Sequence, residues 1–154
     1  MAAFDAWPIL AAGMVASSSL TPPSALDFGT CWGTPNGADL STPSYMASGT
    51  LVVAEAVLRR WTCSQGQLID DPNYGYNLND LISDDLSPDD LVYAQQQAAD
   101  QAQGDERVMS ATVNLDLSVD GVCRVDAVIV TAQGPFKLVA SVSAIGVSDM
   151  LVSP

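Results

Sequence analysis

The feature that most limits what this chain can fold into is a change of period at Val108. From there Met109, Ala111, Val113, Leu115, Leu117 and Val119 alternate with Ser110, Thr112, Asn114, Asp116 and Ser118. Alternation sustained this long sends one set of side chains to a core and the other to solvent, so it predicts a half-buried strand. Asp120-Gly121 predicts a two-residue hairpin turn, and Val122 to Ala132 the returning strand. In the register that pairs Val119 with Val122, Leu115 faces Asp126 and Leu117 faces Arg124. Arg124 and Asp126 then share one face and neutralise each other near the sheet's margin. Gln133-Gly134 turns the chain again, and Phe136 to Ser143 predicts a third strand. Ile145 to Val152 is a short apolar tail for which the pattern offers no pairing partner.

Ahead of the sheet the period is helical. Leu51, Val52, Ala54, Val57, Leu58 and Trp61 give a broad apolar face to a helix predicted over 50–61, with Ser48 or Thr50 as cap. Glu55 and Arg59 stand four apart, in the order that favours an exposed pair. Asn79 to Ser83 predicts a single helical turn that carries Leu81 and Ile82 inward. The next helix has the clearest start. Ser87 is placed to cap it, Pro88 takes the first helical position, and Asp89 and Asp90 complement the dipole. It runs to about Gln103 and stops at Gly104. Its stripe of Leu91, Ala94 or Gln95, Ala98 and Ala102 is thin, which predicts close packing on one side and solvent or a partner on the other. The fold class is α+β: two helices packed on a small antiparallel β-meander, with extended N- and C-terminal arms.

A length of 154 residues suits one domain with a real core. Residues 1–48 form its irregular part, an N-terminal arm with a lead-in strand, and 49–154 the α+β domain. Pro8, Pro22, Pro23, Pro35 and Pro43 cut the arm into short extended pieces, and its apolar content predicts docking on the core or a neighbour. The apolar stretch from Trp7 to Ala16 lacks the basic start of a signal peptide, has Asp5 upstream, and is too short to span a bilayer.

Charge removes several function classes. The formal net charge is -13 with no histidine, and Arg59, Arg60, Arg107, Arg124 and Lys137 are the whole basic complement. Such a field repels nucleic acid and anionic membrane surfaces. Only 15% of residues are charged, as expected of a surface partly covered by partners. Cys31, Cys63 and Cys123 are too scattered for a disulfide framework and, without histidine, for a zinc site, so they read as buried thiols.

Catalysis has little to draw on. A serine or cysteine nucleophile needs a base, and no histidine supplies one. A glycosidase needs two carboxyl groups across a cleft, but the two glutamates, Glu55 and Glu106, have arginines beside them. Lys137 next to Phe136 reads as an exposed strand residue. Asp70, Asp71, Asn73, Asn77, Asn79 and Asp80 offer oxygen ligands, yet their spacing is not that of a calcium loop. The expectation is a non-enzyme without cofactor or metal. Two stretches remain. The loop with Gly66, Asp71, Pro72, Tyr74 and Gly75 carries many side chains able to bond backbone. At the helix-to-strand boundary Asp105, Glu106, Arg107 and Val108 place a fork-shaped donor at a turn, where it either clamps an acceptor or balances a neighbouring carboxylate.

Several short motifs occur in an order similar to one family. Ser48-Gly49 leads into a helix that ends Leu58-Arg59-Arg60-Trp61-Thr62, then Gly66, then Asp71-Pro72-Asn73-Tyr74-Gly75 with Leu78 and Leu81. Leu86-Ser87-Pro88 opens the long helix, and the Arg107-Val108 boundary, a hairpin and Gly134-Pro135-Phe136 come after it. Upstream, Phe28-Gly29-Thr30 and Gly37-Ala38-Asp39-Leu40 are similar to the family's first strand. This order resembles the baseplate wedge and sheath-initiator family of contractile phage tails, over 49–142. The resemblance implies a structural subunit of the virion tail baseplate, assembled in the host cytoplasm. Its implied partners are wedge proteins and the tail sheath protein, with tube or hub proteins as further neighbours. Docking through a Glu-Pro-Arg motif is implied for Asp105-Glu106-Arg107, where Glu106 stands in place of the proline. Sheath growth is implied to start by strand exchange with the first sheath ring. Some relatives carry a lysozyme label, which the residues here do not support. The alternative from composition alone is a stand-alone acidic protein-binding module of α+β fold.

Overall fold

The alternating stretch folds into a four-stranded antiparallel sheet. The computed structural model describes residues 28–33, 45–82, 86–118, 120–143 and 146–154. In chain order the elements are β1 (Thr30–Trp32), β2 (Met46–Ser48), α1 (Thr50–Thr62), α2 (Leu78–Leu81), α3 (Pro88–Gln103), β3 (Val108–Leu117), β4 (Val122–Thr131), β5 (Gly134–Ser143) and β6 (Gly146–Ser153). The large sheet runs in the order β3-β4-β5-β6, and β1 and β2 make a separate antiparallel pair. The architecture is α+β, as the periods predict. Gly37-Ala38-Asp39-Leu40 lies outside the described residues, as do Met1 to Asp27.

One face of the sheet supplies half of the core. Val113 and Leu115 of β3, Cys123, Val125, Ala127 and Ile129 of β4, and Phe136, Leu138, Ala140 and Val142 of β5 are buried there. Val53, Ala54, Val57, Leu58 and Trp61 of α1 and Ala94, Ala98 and Ala102 of α3 supply most of the rest, with Phe28, Leu78 and Val108. The three alanines let α3 approach closely. The Trp61 indole N–H donates to the Ala98 carbonyl across 2.9 Å, a bond available only because no longer side chain intervenes.

Three expectations about the sheet need correction. The β3–β4 register is shifted by one from that predicted, so Leu115 faces Val125 and Leu117 faces Cys123. The turn is the cause. Ser118 N–H donates to the Val122 carbonyl at 2.9 Å and Gly121 N–H to the Ser118 carbonyl at 3.2 Å, with Gly121 at φ 71°. A three-residue loop that ends in a left-handed glycine therefore replaces the two-residue turn, and apolar residues now face apolar residues. Arg124 and Asp126 do share the outer face, 3.3 Å apart, with Lys137 at 3.6 Å from Asp126. The second correction is at Met109, which is 70% exposed. The register shifts between Val108 and Ser110, and this bulge turns Val108 into the core in its place. Third, the C-terminal tail is no free arm. β6 pairs with β5 from Ser143↔Gly146 to Lys137↔Ser153 and adds Val147, Met150 and Val152 to the core margin.

The helices depart in two details. α1 has Gly49 as N-cap at φ 61° with no side-chain cap bond, so neither Ser48 nor Thr50 serves. Glu55 is fully buried instead of lying on an exposed face, and it accepts a 2.6 Å hydrogen bond from the Tyr45 hydroxyl. α3 starts as expected. Ser87 Oγ accepts from Asp90 N–H at 3.3 Å, and the Asp90 carboxylate accepts from Ser87 N–H at 3.1 Å, a complete capping box.

Candidate functional site

The two stretches singled out in the sequence meet at one corner, and residues between them hold it. α1 ends with Arg59-Arg60, cations in the last turn where the helix dipole favours them. Arg60 donates through Nη2 to the Gly104 carbonyl at 2.9 Å, and its guanidinium lies 4.4 Å from the Tyr74 ring centre. A Cβ at Gly104 would come within 3.0 Å of Arg60 Nη1, which gives a steric reason for glycine at the end of α3. Gly104 itself keeps a right-handed conformation, φ -65°.

The loop from Gly66 to Gly75 is tied at each side. Gly66 N–H donates to the Pro72 carbonyl at 3.0 Å, Tyr74 N–H to the Asp71 carbonyl at 3.1 Å, and Asn73 N–H to Asp71 Oδ1 at 3.3 Å. Gly75 packs so close to α1's exit that a Cβ there would sit 2.3 Å from the Cys63 carbonyl oxygen. Gln101 of α3 then grips the loop with both ends of its amide. Oε1 accepts from Gly75 N–H and Nε2 donates to the Asn73 carbonyl, each at 2.9 Å. No sequence signal marks Gln101, since a glutamine on a polar helix face usually points to water. Arg60 stood in the sequence only among the five basic residues and in the Leu58-Arg59-Arg60-Trp61-Thr62 motif.

At the boundary itself, Arg107 closes on Asp105. Nε donates to Oδ1 at 2.8 Å, Nη2 to Oδ2 at 2.6 Å, and Arg107 N–H adds a third bond to Oδ1 at 3.0 Å. Asp105 is only 7% exposed. Burial by itself would raise its carboxyl, but the Arg107 hydrogen bonds and the charges of Arg107 and Arg60 outweigh it and hold the pKa below the ordinary 3.8. The same pairing raises Arg107, against burial that works the other way. Asp105 N–H donates to the Ala102 carbonyl at 3.3 Å and Val108 N–H to the Asp105 carbonyl at 2.9 Å, so the motif is also the turn that links α3 to β3.

Around this clamp Phe28, Gly29, Arg60, Gly104, Asp105, Glu106 and Arg107 line an open groove of about 600 Å³. Among the described residues it holds two cations and two carboxylates, a balanced patch on a chain of net charge -13. Phe28 and Gly29 are the parts of the Phe28-Gly29-Thr30 motif that reach it. An open, self-neutralised groove can seat a segment of another protein.

The remaining candidates go elsewhere. Asn77 caps α2 by accepting from Asn79 N–H at 3.2 Å, and its amide donates to Asp80 at 2.9 Å and Ser64 at 3.2 Å, so part of the oxygen-rich loop bonds the loop itself. Among the described residues no group of three or more His, Cys, Asp or Glu is arranged to hold a metal ion. Cys123 is buried, which pushes its thiol up to about 11, while Cys31 and Cys63 are part-exposed. No helix among the described residues is long and apolar enough to cross a membrane. No family model matches the chain, and neither does any curated protein or solved structure.

Proposed function

We propose that this chain is a structural subunit of a contractile-tail baseplate that docks on the wedge and starts the sheath by strand pairing with its first ring. The observation that carries this reading is the position of β6 at one margin of the large sheet. β6 stands last in the order and, among the described residues, bonds to no further strand. Its eight residues include one charged side chain, Asp149, and no proline. Charges and prolines are the usual devices that keep a second chain from adding to an edge, and this edge is nearly bare of them. A neighbouring strand gains a full ladder of backbone bonds by adding there.

The Asp105-Arg107 clamp supports the docking half of the reading. A fork already held by its own carboxylate keeps its shape before a partner arrives, which lowers the ordering cost of binding. Arg107, on the groove's lining, keeps 27% of its side-chain surface exposed.

The test is co-purification with wedge and sheath proteins, comparing wild type with Arg107→Ala after circular dichroism has checked that the variant folds. The expected result is a complex with the wild type and at least roughly a tenfold loss with the variant, as for removal of a buried charged contact. A wild type that stays monomeric with every tail protein offered overturns the reading and leaves the stand-alone acidic binding module.

A further inference from the structure

Leu68 and Ile69 are adjacent aliphatic residues left in solvent, 43% and 95% exposed. Single exposed aliphatics are ordinary on protein surfaces. The frame that carries this pair is not. The Gly66 to Pro72 bond closes the loop on either side of them, and the Tyr74 to Asp71 bond, the Arg60 stack and the Gln101 grip hold the neighbouring residues 71–75. The pair cannot fold back onto the core without breaking those contacts. An isoleucine held in water gains no burial in the free protein and gains it where a partner covers it.

The flanks say what kind of partner. Asp70 and Asp71 come directly after Ile69 and are both exposed. A second copy of this chain brings a net charge of -13 and five basic residues against them, and an anionic bilayer repels them. We propose that Leu68-Ile69 is a docking knob that enters an apolar pocket rimmed by Lys or Arg on a different protein subunit of the assembly. This rests on the baseplate reading above, and it concerns a contact separate from the Arg107 groove and the β6 edge.

The experiment co-expresses the chain with the wedge and sheath proteins and compares wild type, Ile69→Asp and Asp70→Lys. A second arm places the photo-crosslinking residue benzoylphenylalanine at position 69, with position 96 on α3 as control. Ile69→Asp should melt within about a degree of wild type, since a surface change of this kind moves stability little. Its affinity for the complex should fall roughly ten- to a hundredfold, the loss of one buried aliphatic contact. Asp70→Lys should weaken binding by a smaller factor that shrinks at high salt. The crosslink should join position 69, and not position 96, to one wedge or sheath subunit. Ile69→Asp binding as tightly as wild type overturns the knob while the assembly reading stands. A crosslink only to a second copy of the chain does the same. If the wild type enters no complex, both readings fall together.

Discussion

Replacing Gly75 by alanine, with Gly66→Ala as its twin, separates two reasons for a glycine in the ordered loop. Both sit at positive φ, 97° and 82°, where an L side chain is strained by about 1–2 kcal/mol. Both changes also restrict the unfolded chain, a stabilising effect of about 0.5 kcal/mol that cancels between them. They differ in space. Nothing lies within 4 Å of a Cβ at Gly66, whereas one at Gly75 would lie 2.3 Å from the Cys63 carbonyl oxygen and 2.9 Å from its carbon. Backbone must move at Gly75, and two bonds move with it: Gly75 N–H to Gln101 at 2.9 Å and Tyr76 N–H to the Arg60 carbonyl at 2.8 Å. At about 1 kcal/mol each, their loss brings Gly75→Ala to roughly 3 kcal/mol, against about 1 kcal/mol for Gly66→Ala. In a domain of this size that is a fall in Tm of about 6–12 °C against about 2–4 °C. Urea unfolding should show lower midpoints with an unchanged slope, the sign of altered stability and not of an altered unfolded state. Equal losses in the two variants would refute the close approach as the reason for Gly75.

Two further predictions concern charge. Asp105→Asn should destabilise by about 1–3 kcal/mol at neutral pH through the weakened Arg107 bonds. Because the folded pKa of Asp105 lies below 3.8, its contribution is present above that value and lost as pH falls through the lower folded one, so urea midpoints of variant and wild type should converge in acid. Tyr45 shows the opposite sign. Its hydrogen bond to Glu55, with burial and the carboxylate's charge, pushes its pKa up from 10.0 to about 12. The stabilisation is complete below pH 10 and is lost as pH rises through about 12, so Tyr45→Phe should remove part of the alkaline decline in the urea midpoint.

The elements were legible because each is a local statement. Ser87-Pro88-Asp89-Asp90 writes a helix start in residues that touch one another, and the capping box forms as read. The same holds for β3 to β5 as strands, and for the inward face of β3 from Val113 on, where alternation is unbroken. Legibility ended where a contact crossed the chain. Gln101 grips a loop more than two dozen residues away, and Tyr45 reaches Glu55 from outside the helix whose pattern contains the glutamate. The Arg107 clamp was open between two readings. Its own neighbour Asp105 turned out to be the partner, in a geometry that both folds the turn and keeps the fork in place.

What the residues determined by themselves was the α+β class, the order of its main elements and the capped start of α3. Tertiary structure decided the register, the bulge at Met109, the burial of Glu55 and the recruitment of the last residues as β6. The division has one physical reason. Caps, turns and periods are set by neighbours in sequence, while register and burial are chosen by which distant surfaces leave water together. A strand such as Gly146–Ser153, short and paired through a register shift at Ser141/Val142, acquires its place only when β5 is already there to offer an edge.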